Sequence, residues 1–292
     1  MKFDGGWVIE ADIESFLERL DHGHLREFLD KRVRDGVVRR VIGKWLKAGV
    51  MENGQLYCPE TGSPQGGVVS PILSNIYLHE VLDLWFVQEF RPRMRGLAEI
   101  VRFADDFVIS FEHRADAERV MKYLPKRLGR YGLTLHPEKT RIICFERPRL
   151  NEPAESPHGE SRTFDYLGLT HHWGNSRKGK PTVQRRTMRS RLARALTRVG
   201  QWCRFHRHGP LKVQHKMLLA KLHGHYSYYG ITGNIRALRK MLAGTQRLWR
   251  YWLNRRGGTR HLTFELYKRL LSRWPLPPAR IVHSAILNAA NA

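Results

Sequence analysis

The sequence predicts an α+β protein: strands, a hairpin and helices over residues 1–183, then an all-α region of three helices over 184–292. Three observations predict it. Trp7, Ile9, Ala11 and Ile13 alternate with polar or small residues, the period of a half-buried strand. Ile100 to Phe111 reads IVRFADDFVISF, two β-branched and aromatic runs split by adjacent acids, which is the pattern of a hairpin with the acids at or near its turn. From Gln184 onward the apolar residues step by threes and fours instead of twos.

The elements follow in order. Asp12 closes the first strand, and Ser15 with Glu18 forms an S-x-x-E pattern that predicts a reciprocally capped short helix. Leu25 to about Val33 continues as a second helix. Gly62 to Val69 is a glycine-bearing loop, and Ser70-Pro71 predicts a helix start with serine as N-cap and proline at the first position. Ile72, Leu73, Ile76, Tyr77, Val81 and Leu84 hold helical spacing to about Phe86. Ala115 to Tyr131 reads as a helix with Pro125 as a kink point. Leu133 to Phe145 and Phe164 to Trp173 read as strands, and Arg147 to Arg162, rich in Pro, Glu and Ser, as an exposed loop. Three helices are then expected: one with the stripe Met188, Leu192, Ala195, Leu196, Val199 and Trp202, one after Pro210 to about Tyr226, and one from near Thr232 with Ile235, Leu238, Leu242, Trp249 and Trp252.

Charge separates the two regions. The 292 residues, 41% hydrophobic and 27% charged, exclude a disordered or collagen-like chain. Residues 1–176 hold 25 bases and 26 acids; residues 177–292 hold 26 bases and one acid, Glu265. A face merely solvated by charge mixes both signs, so this imbalance points to a polyanionic partner, with nucleic acid the default. Cys58, Cys144 and Cys203 form no Cys-x-x-Cys pair, no stretch has the apolar length of a membrane span, and a cytoplasmic location is expected.

Asp105 and Asp106 make the strongest chemical demand. Adjacent carboxylates between apolar runs repel and lose hydration, so a cation must compensate. Two magnesium ions would suit them, activating a hydroxyl and stabilising a leaving pyrophosphate, and Asp12 is the natural third carboxylate. Taken alone, Asp-Asp also reads as a plain hairpin turn, and the Gly62–Gly67 loop as turn geometry. Paired His22/His24, His171/His172, His206/His208 and His223/His225 lack cysteines or acids at ligand spacing and read as surface or RNA-facing groups.

The motifs VIEADIESFLERLDH, SPQGGVVSPILSNIYLHEVL, VRFADDFVISF, YGLTLHPEKT and FDYLGL occur in this order, and the set resembles the reverse transcriptases encoded by bacterial group II introns. HGHYSYYGITGN and LPPARIVHS resemble the maturase, or thumb, region of the same proteins. The resemblance implies a reverse-transcriptase palm (1–183), an antiparallel sheet with packed helices, and a helical thumb/maturase domain (184–292), copying RNA into DNA and assisting intron splicing. It implies that Asp12, Asp105 and Asp106 hold the magnesium ions, with the carbonyl of Ile13 a further ligand. Ser15, Phe16, Leu17, Gln65 and Gly66 would border the incoming deoxynucleoside triphosphate, and Leu17 stands where the family has a second aromatic that screens the 2′ position. Lys139 would protonate the leaving pyrophosphate, although an ordinary surface lysine fits its position equally. Tyr166, Leu167 and Gly168 would grip the primer end. Arg185, Arg186, Arg189, Arg194, Arg198, Arg236, Arg239 and Lys240 are the candidates for RNA phosphates, and Tyr226, Tyr228 and Tyr229 for stacking.

Only eleven residues precede Asp12, where the family has a fingers region, so a fragment, a product of a late start codon, or fingers supplied by another polypeptide is expected. No nuclease pattern follows Trp274. The expected partners are intron RNA, an RNA template with a DNA primer, and deoxynucleoside triphosphates, acting as a ribonucleoprotein that associates with the nucleoid on DNA. The competing reading is a polymerase-inactive, RNA-binding maturase remnant; a two-metal nuclease leaves the Gln-Gly-Gly loop without a role.

Overall fold

The computed structural model describes residues 5–47, 50–52, 55–57, 62, 69–148, 162–176, 178–257 and 261–283. Gln65, Gly66, Cys58 and nearly all of the expected 147–162 loop lie outside these residues. The chain divides into two compact units, Met1–Tyr166 and Leu167–Ala292. The expected boundary at 183/184 thus moves back to 166/167.

In the first unit, strands β1 (Gly5–Asp12), β4 (Ala98–Phe103), β5 (Asp106–Phe111) and β6 (Arg141–Glu146) form an antiparallel sheet in the order β4-β5-β1-β6. Around it lie α1 (Phe16–Arg19), α2 (His22–Asp30), α3 (Gly36–Leu46), the small hairpin β2 (Val50–Glu52) and β3 (Gln55–Tyr57), α4 (Ser70–Leu78), α5 (Arg114–Gly129) and the short strand β7 (Thr163–Tyr166). Strand alternation decides which residues are inside. Ile9, Ala11, Phe107, Ile109 and Phe111 face one side of the sheet and are at most 1% exposed, in one core with Ala117, Val120, Leu124 and Leu128 of α5. The opposite side carries Val8, Glu10 and Asp12 of β1 and Asp106, Val108 and Ser110 of β5. β7 lies against β1, β5 and β6, with Phe164 edge-on to Phe145 at 4.9 Å between ring centres.

Several local expectations change. Ser15 caps nothing with its side chain: it sits in the left-handed region (φ 46°), and its carbonyl instead accepts from Glu18 N and Arg19 N. The second helix runs His22–Asp30, earlier than the apolar spacing indicated, because Asp21 caps it through His24 N at 2.8 Å. Asp35 caps α3, which the sequence reading did not anticipate, through Val37 N and Val38 N. Ser70 is the first helical residue of α4 and Val69 its N-cap. The helix beyond α4 continues through wide π turns at His79–Asp83 and Phe86–Phe90 and a 3₁₀ turn at Arg91–Arg93. α5 runs through Pro125. The expected strand from Leu133 shrinks to β6, since residues 133–140 follow β1's end through a single bridge, Ile13 to Leu135. The expected strand Phe164–Trp173 is broken at Leu167 and Gly168, which both take positive φ.

In the second unit, β8 (Leu169–Asn175) pairs with β9 (Pro181–Thr187), and α6 (Arg189–Phe205), α7 (Leu211–Tyr229), α8 (Ile235–Leu253) and α9 (Phe264–Arg273) follow. Gln184, Arg185 and Arg186 therefore lie on a strand rather than a helix, and α9 is a fourth helix beyond the three expected. Trp249, Tyr226, Leu218, Leu222 and Leu238 are buried at 1% exposure or less.

Two buried amides tie this unit together. Asn234 accepts from Thr187 N (2.9 Å) and donates to Thr187 Oγ1 and Tyr229 O (each 2.8 Å). Gln214 donates to the carbonyls of His206, Arg207 and Gly209 and accepts from Trp249 Nε1 at 2.9 Å. Losing such a group leaves its buried partners unsatisfied at about 1–3 kcal/mol. Asn234→Ala is accordingly expected to destabilise this unit by about 2 kcal/mol, read as a lower urea midpoint with an unchanged slope. Asn234→Ala unfolding at the wild-type midpoint would contradict this.

Candidate active site

The site builds up from the end of β1. Asp12 pairs in register with Asp106 of β5. His136 N donates to the Asp12 carbonyl (2.8 Å) and Glu14 N to the Thr134 carbonyl (2.9 Å). Peptide groups alternate sides along a strand, so the Asp12 carbonyl turned to His136 is turned away from β5. Asp12 and Asp106 then face each other as the closer, non-hydrogen-bonded kind of antiparallel pair, with Cα atoms typically about 4.5 Å apart. The same alternation turns the Ile13 carbonyl towards the β5 side; the Ile13 side chain is 3% exposed.

The β4–β5 connection is a two-residue turn, Ala104-Asp105, between paired Phe103 and Asp106. Ala104 holds φ 56°, a conformation that side chains with a Cβ rarely adopt. Asp105 thus stands on a strained turn, next to the residue that faces Asp12.

The 133–140 segment brings a cation to this corner. Its pairing beside Ile13 carries Lys139 round, and Lys139 Nζ donates to Asp12 Oδ2 at 2.5 Å. Among the described residues no three His, Cys, Asp or Glu side chains already stand as a metal-holding group. The fit of a metal rests instead on the donor chemistry: two carboxylates set face to face by backbone register, a third on the adjoining turn, and one of them already claimed by an ammonium group. Such a set suits a hard divalent cation.

Two neighbouring groups are shifted, chiefly by burial. Burial pushes the Tyr166 hydroxyl's pKa up, the Asp106 carboxylate adds to that rise, and Arg102 opposes it. Burial also raises the Glu10 pKa, against the pull of Arg141, whose Nε and Nη2 bond Glu10 Oε2 at 3.0 and 2.9 Å.

The other predicted residues fall as follows. Phe16 is 3% exposed and packs in the core, its ring 6.3 Å from that of Tyr77, so it supports the loop after β1 from beneath. Leu17 is half-buried and Ser15 exposed. At the start of the glycine loop, Gly62 N donates to Leu20 O (2.7 Å), and the Gly62 carbonyl contacts His22 Nε2 (2.5 Å). A Cβ at Gly62 would lie 2.7 Å from Glu18 O, and its φ of 88° also favours glycine. In the second unit, Tyr228 donates to the Leu167 carbonyl at 3.1 Å. Arg186, Arg189, Arg194, Arg198, Arg236, Arg239 and Lys240 are exposed, and Arg185 is half-buried. Of the three tyrosines, Tyr226 is core, Tyr229 half-buried, and Tyr228 is 55% exposed.

Sequence reasoning missed Arg102. Its guanidinium bonds Asp83 through Nε (2.8 Å) and Nη2 (2.6 Å), and through Nη1 the Asn75 side chain and the Ala104 carbonyl (each 2.9 Å). The signal was present, because Arg102 occupies the inward phase of β4 after Ala98 and Ile100.

The family model for reverse transcriptase (RNA-dependent DNA polymerase) matches residues 4–171. The group II intron-encoded protein LtrA of Lactococcus lactis subsp. cremoris is 32% identical over 151 residues, 48% of this chain and 25% of that protein. Protein YkfC of Escherichia coli K12 is 32% identical over 165 residues, 47% of this chain and 43% of that protein. The chain therefore spans between a quarter and a half of the length of these relatives. Apo telomerase from Candida tropicalis shares the fold with a TM-score of 0.53 at 14% identity, over 93% of this chain and 43% of that one. With more than half of its length matched by the family model, and with similarity to group II intron-encoded proteins, the chain belongs to the reverse transcriptase family.

Proposed function

We propose that the chain is the palm and thumb of an RNA-directed DNA polymerase of the group II intron type, extending a DNA primer on an RNA template. The observation that carries this is the facing pair Asp12 and Asp106 beside the Asp105 turn, within a chain of this family. Asp12, Asp105 and Asp106, with the Ile13 carbonyl, would hold two magnesium ions, whose chemistry when bound is to lower the pKa of the primer 3′-hydroxyl and stabilise charge on the pyrophosphate. Lys139, which pairs with Asp12 in the protein as it stands, would supply a proton to the leaving group. Leu17, half-buried beside Phe16, would meet the sugar of the incoming nucleotide. A basic second unit supports template RNA and intron RNA as partners, held through phosphates without reading sequence. Splicing assistance would use the same RNA-binding surface.

Primer extension on an RNA template with magnesium tests the proposal. Wild type should extend, and Asp105→Ala/Asp106→Ala should fall at least about a thousandfold. RNA binding without any extension by wild type would sink the polymerase assignment in favour of a maturase remnant. Lys139→Ala should lower the extension rate by about 10²-fold, and an unchanged rate would return it to a surface lysine. Leu17→Phe should increase discrimination against ribonucleotides; equal ribonucleotide incorporation by both proteins would remove Leu17 from the sugar site. RNA affinity should drop by about 10³-fold or more between 50 and 200 mM salt, and a flat salt profile would exclude a phosphate-dominated surface.

A further inference from the structure

One arginine holds the acidic turn from behind. We propose that Arg102 is a positioning residue: through its bond to the Ala104 carbonyl it fixes the strained turn that carries Asp105, and it does so only because Asp83 and Asn75 fix Arg102 in turn. The inference rests on the polymerase reading given above.

The geometry begins with the sheet. Arg102 lies on the core side of β4, in phase with Ala98 and Ile100, and its side chain is 11% exposed. A guanidinium there needs an anion and filled donors. Asp83 supplies both oxygens in a two-point bond, and Asn75 takes a third contact. Both come from the helical stretch beyond the glycine loop, Asn75 from α4 and Asp83 from the π turn that follows. A π turn adds a residue to the helical repeat and so re-aims the side chains after it. The remaining Nη1 contact reaches forward to Ala104 O.

That last bond acts at the point of strain. Ala104 is held at φ 56°, a strained conformation that persists only where its surroundings over-determine it. The carbonyl Arg102 grips belongs to the peptide that leads into Asp105. Releasing it frees the turn to relax, which would move Asp105 relative to the Asp12–Asp106 pair. Lysine cannot replace this fork: a single ammonium can stay with Asp83 but cannot span Asp83, Asn75 and Ala104 together. The helix behind the sheet is thereby mechanically connected to the carboxylate corner.

Arg102→Lys, which retains the charge opposite Asp83, is the test, with Asp83→Asn as a second variant that keeps an acceptor there. Amide hydrogen exchange of the full chain should rise in the Phe103–Asp106 turn in both variants and stay unchanged in α5 and β6. In single-nucleotide addition, kcat should fall about tenfold or more while the nucleotide KM stays within about twofold. Unchanged exchange at the turn would overturn the proposal, and so would protection lost equally throughout the first unit, which would mean that Arg102 only stabilises the fold. Should wild type fail to extend any primer, the polymerase reading falls, whereas the exchange measurement still decides whether Arg102 holds the turn.

Discussion

Two carboxylates facing each other across neighbouring strands are the constraint on which the first unit depends. Asp12 and Asp106 share one side of the sheet at the end of β1, and the pairing that puts them there also puts Ile9, Ala11, Phe107 and Ile109 on the other side. Slipping the register by one residue would bury the acids and expose the core, so hydrophobic burial itself enforces the juxtaposition. The repulsion between the acids is small against that burial, and Lys139 already offsets part of it.

Polar groups inside the protein serve as fixed points rather than sources of bulk stability. Asp116, 1% exposed at the start of α5, accepts from the amides of Arg95 and Gly96 and so sets the chain's entry into β4. Arg102 holds the exit from that strand. Within the second unit, Asn234 and Gln214 do the equivalent for the ends of β9, α7 and α6. Each makes several hydrogen bonds at once, at least one of them to the backbone, which is why a single side chain can dictate local geometry. The second unit differs in its exterior, where arginine and lysine stand almost without acids, suiting a partner of dense negative charge.

How far the sequence could be read depended on how local the signal was. The β1 alternation, the 98–111 hairpin and the helices α6, α7 and α8 were legible because periodicity reports burial directly. The helix at Gly36–Leu46 was overlooked although Asp35 is a proper cap, since its exposed Val37, Val38 and Trp45 blur the stripe. The Ser15-x-x-Glu18 pattern misled, because a tight left-handed turn after β1 took the serine out of capping geometry. The Arg185 and Arg186 positions were assigned to a helix for want of a visible alternation, while cross-strand pairing with His171 and Thr170 decided otherwise.

By itself, the sequence determined the first strand, the acidic hairpin, the strongly basic second half and the identity of the acidic residues, since these follow from composition and short-range period. Only the tertiary structure decided that Asp106 rather than Asp105 faces Asp12, that Lys139 meets Asp12 across 127 positions, and that Arg102 reaches back to Asp83 and Asn75. Such contacts depend on strand register and on the phase of a helix after a π turn, quantities set by packing of the whole unit and carried by no local stretch of residues.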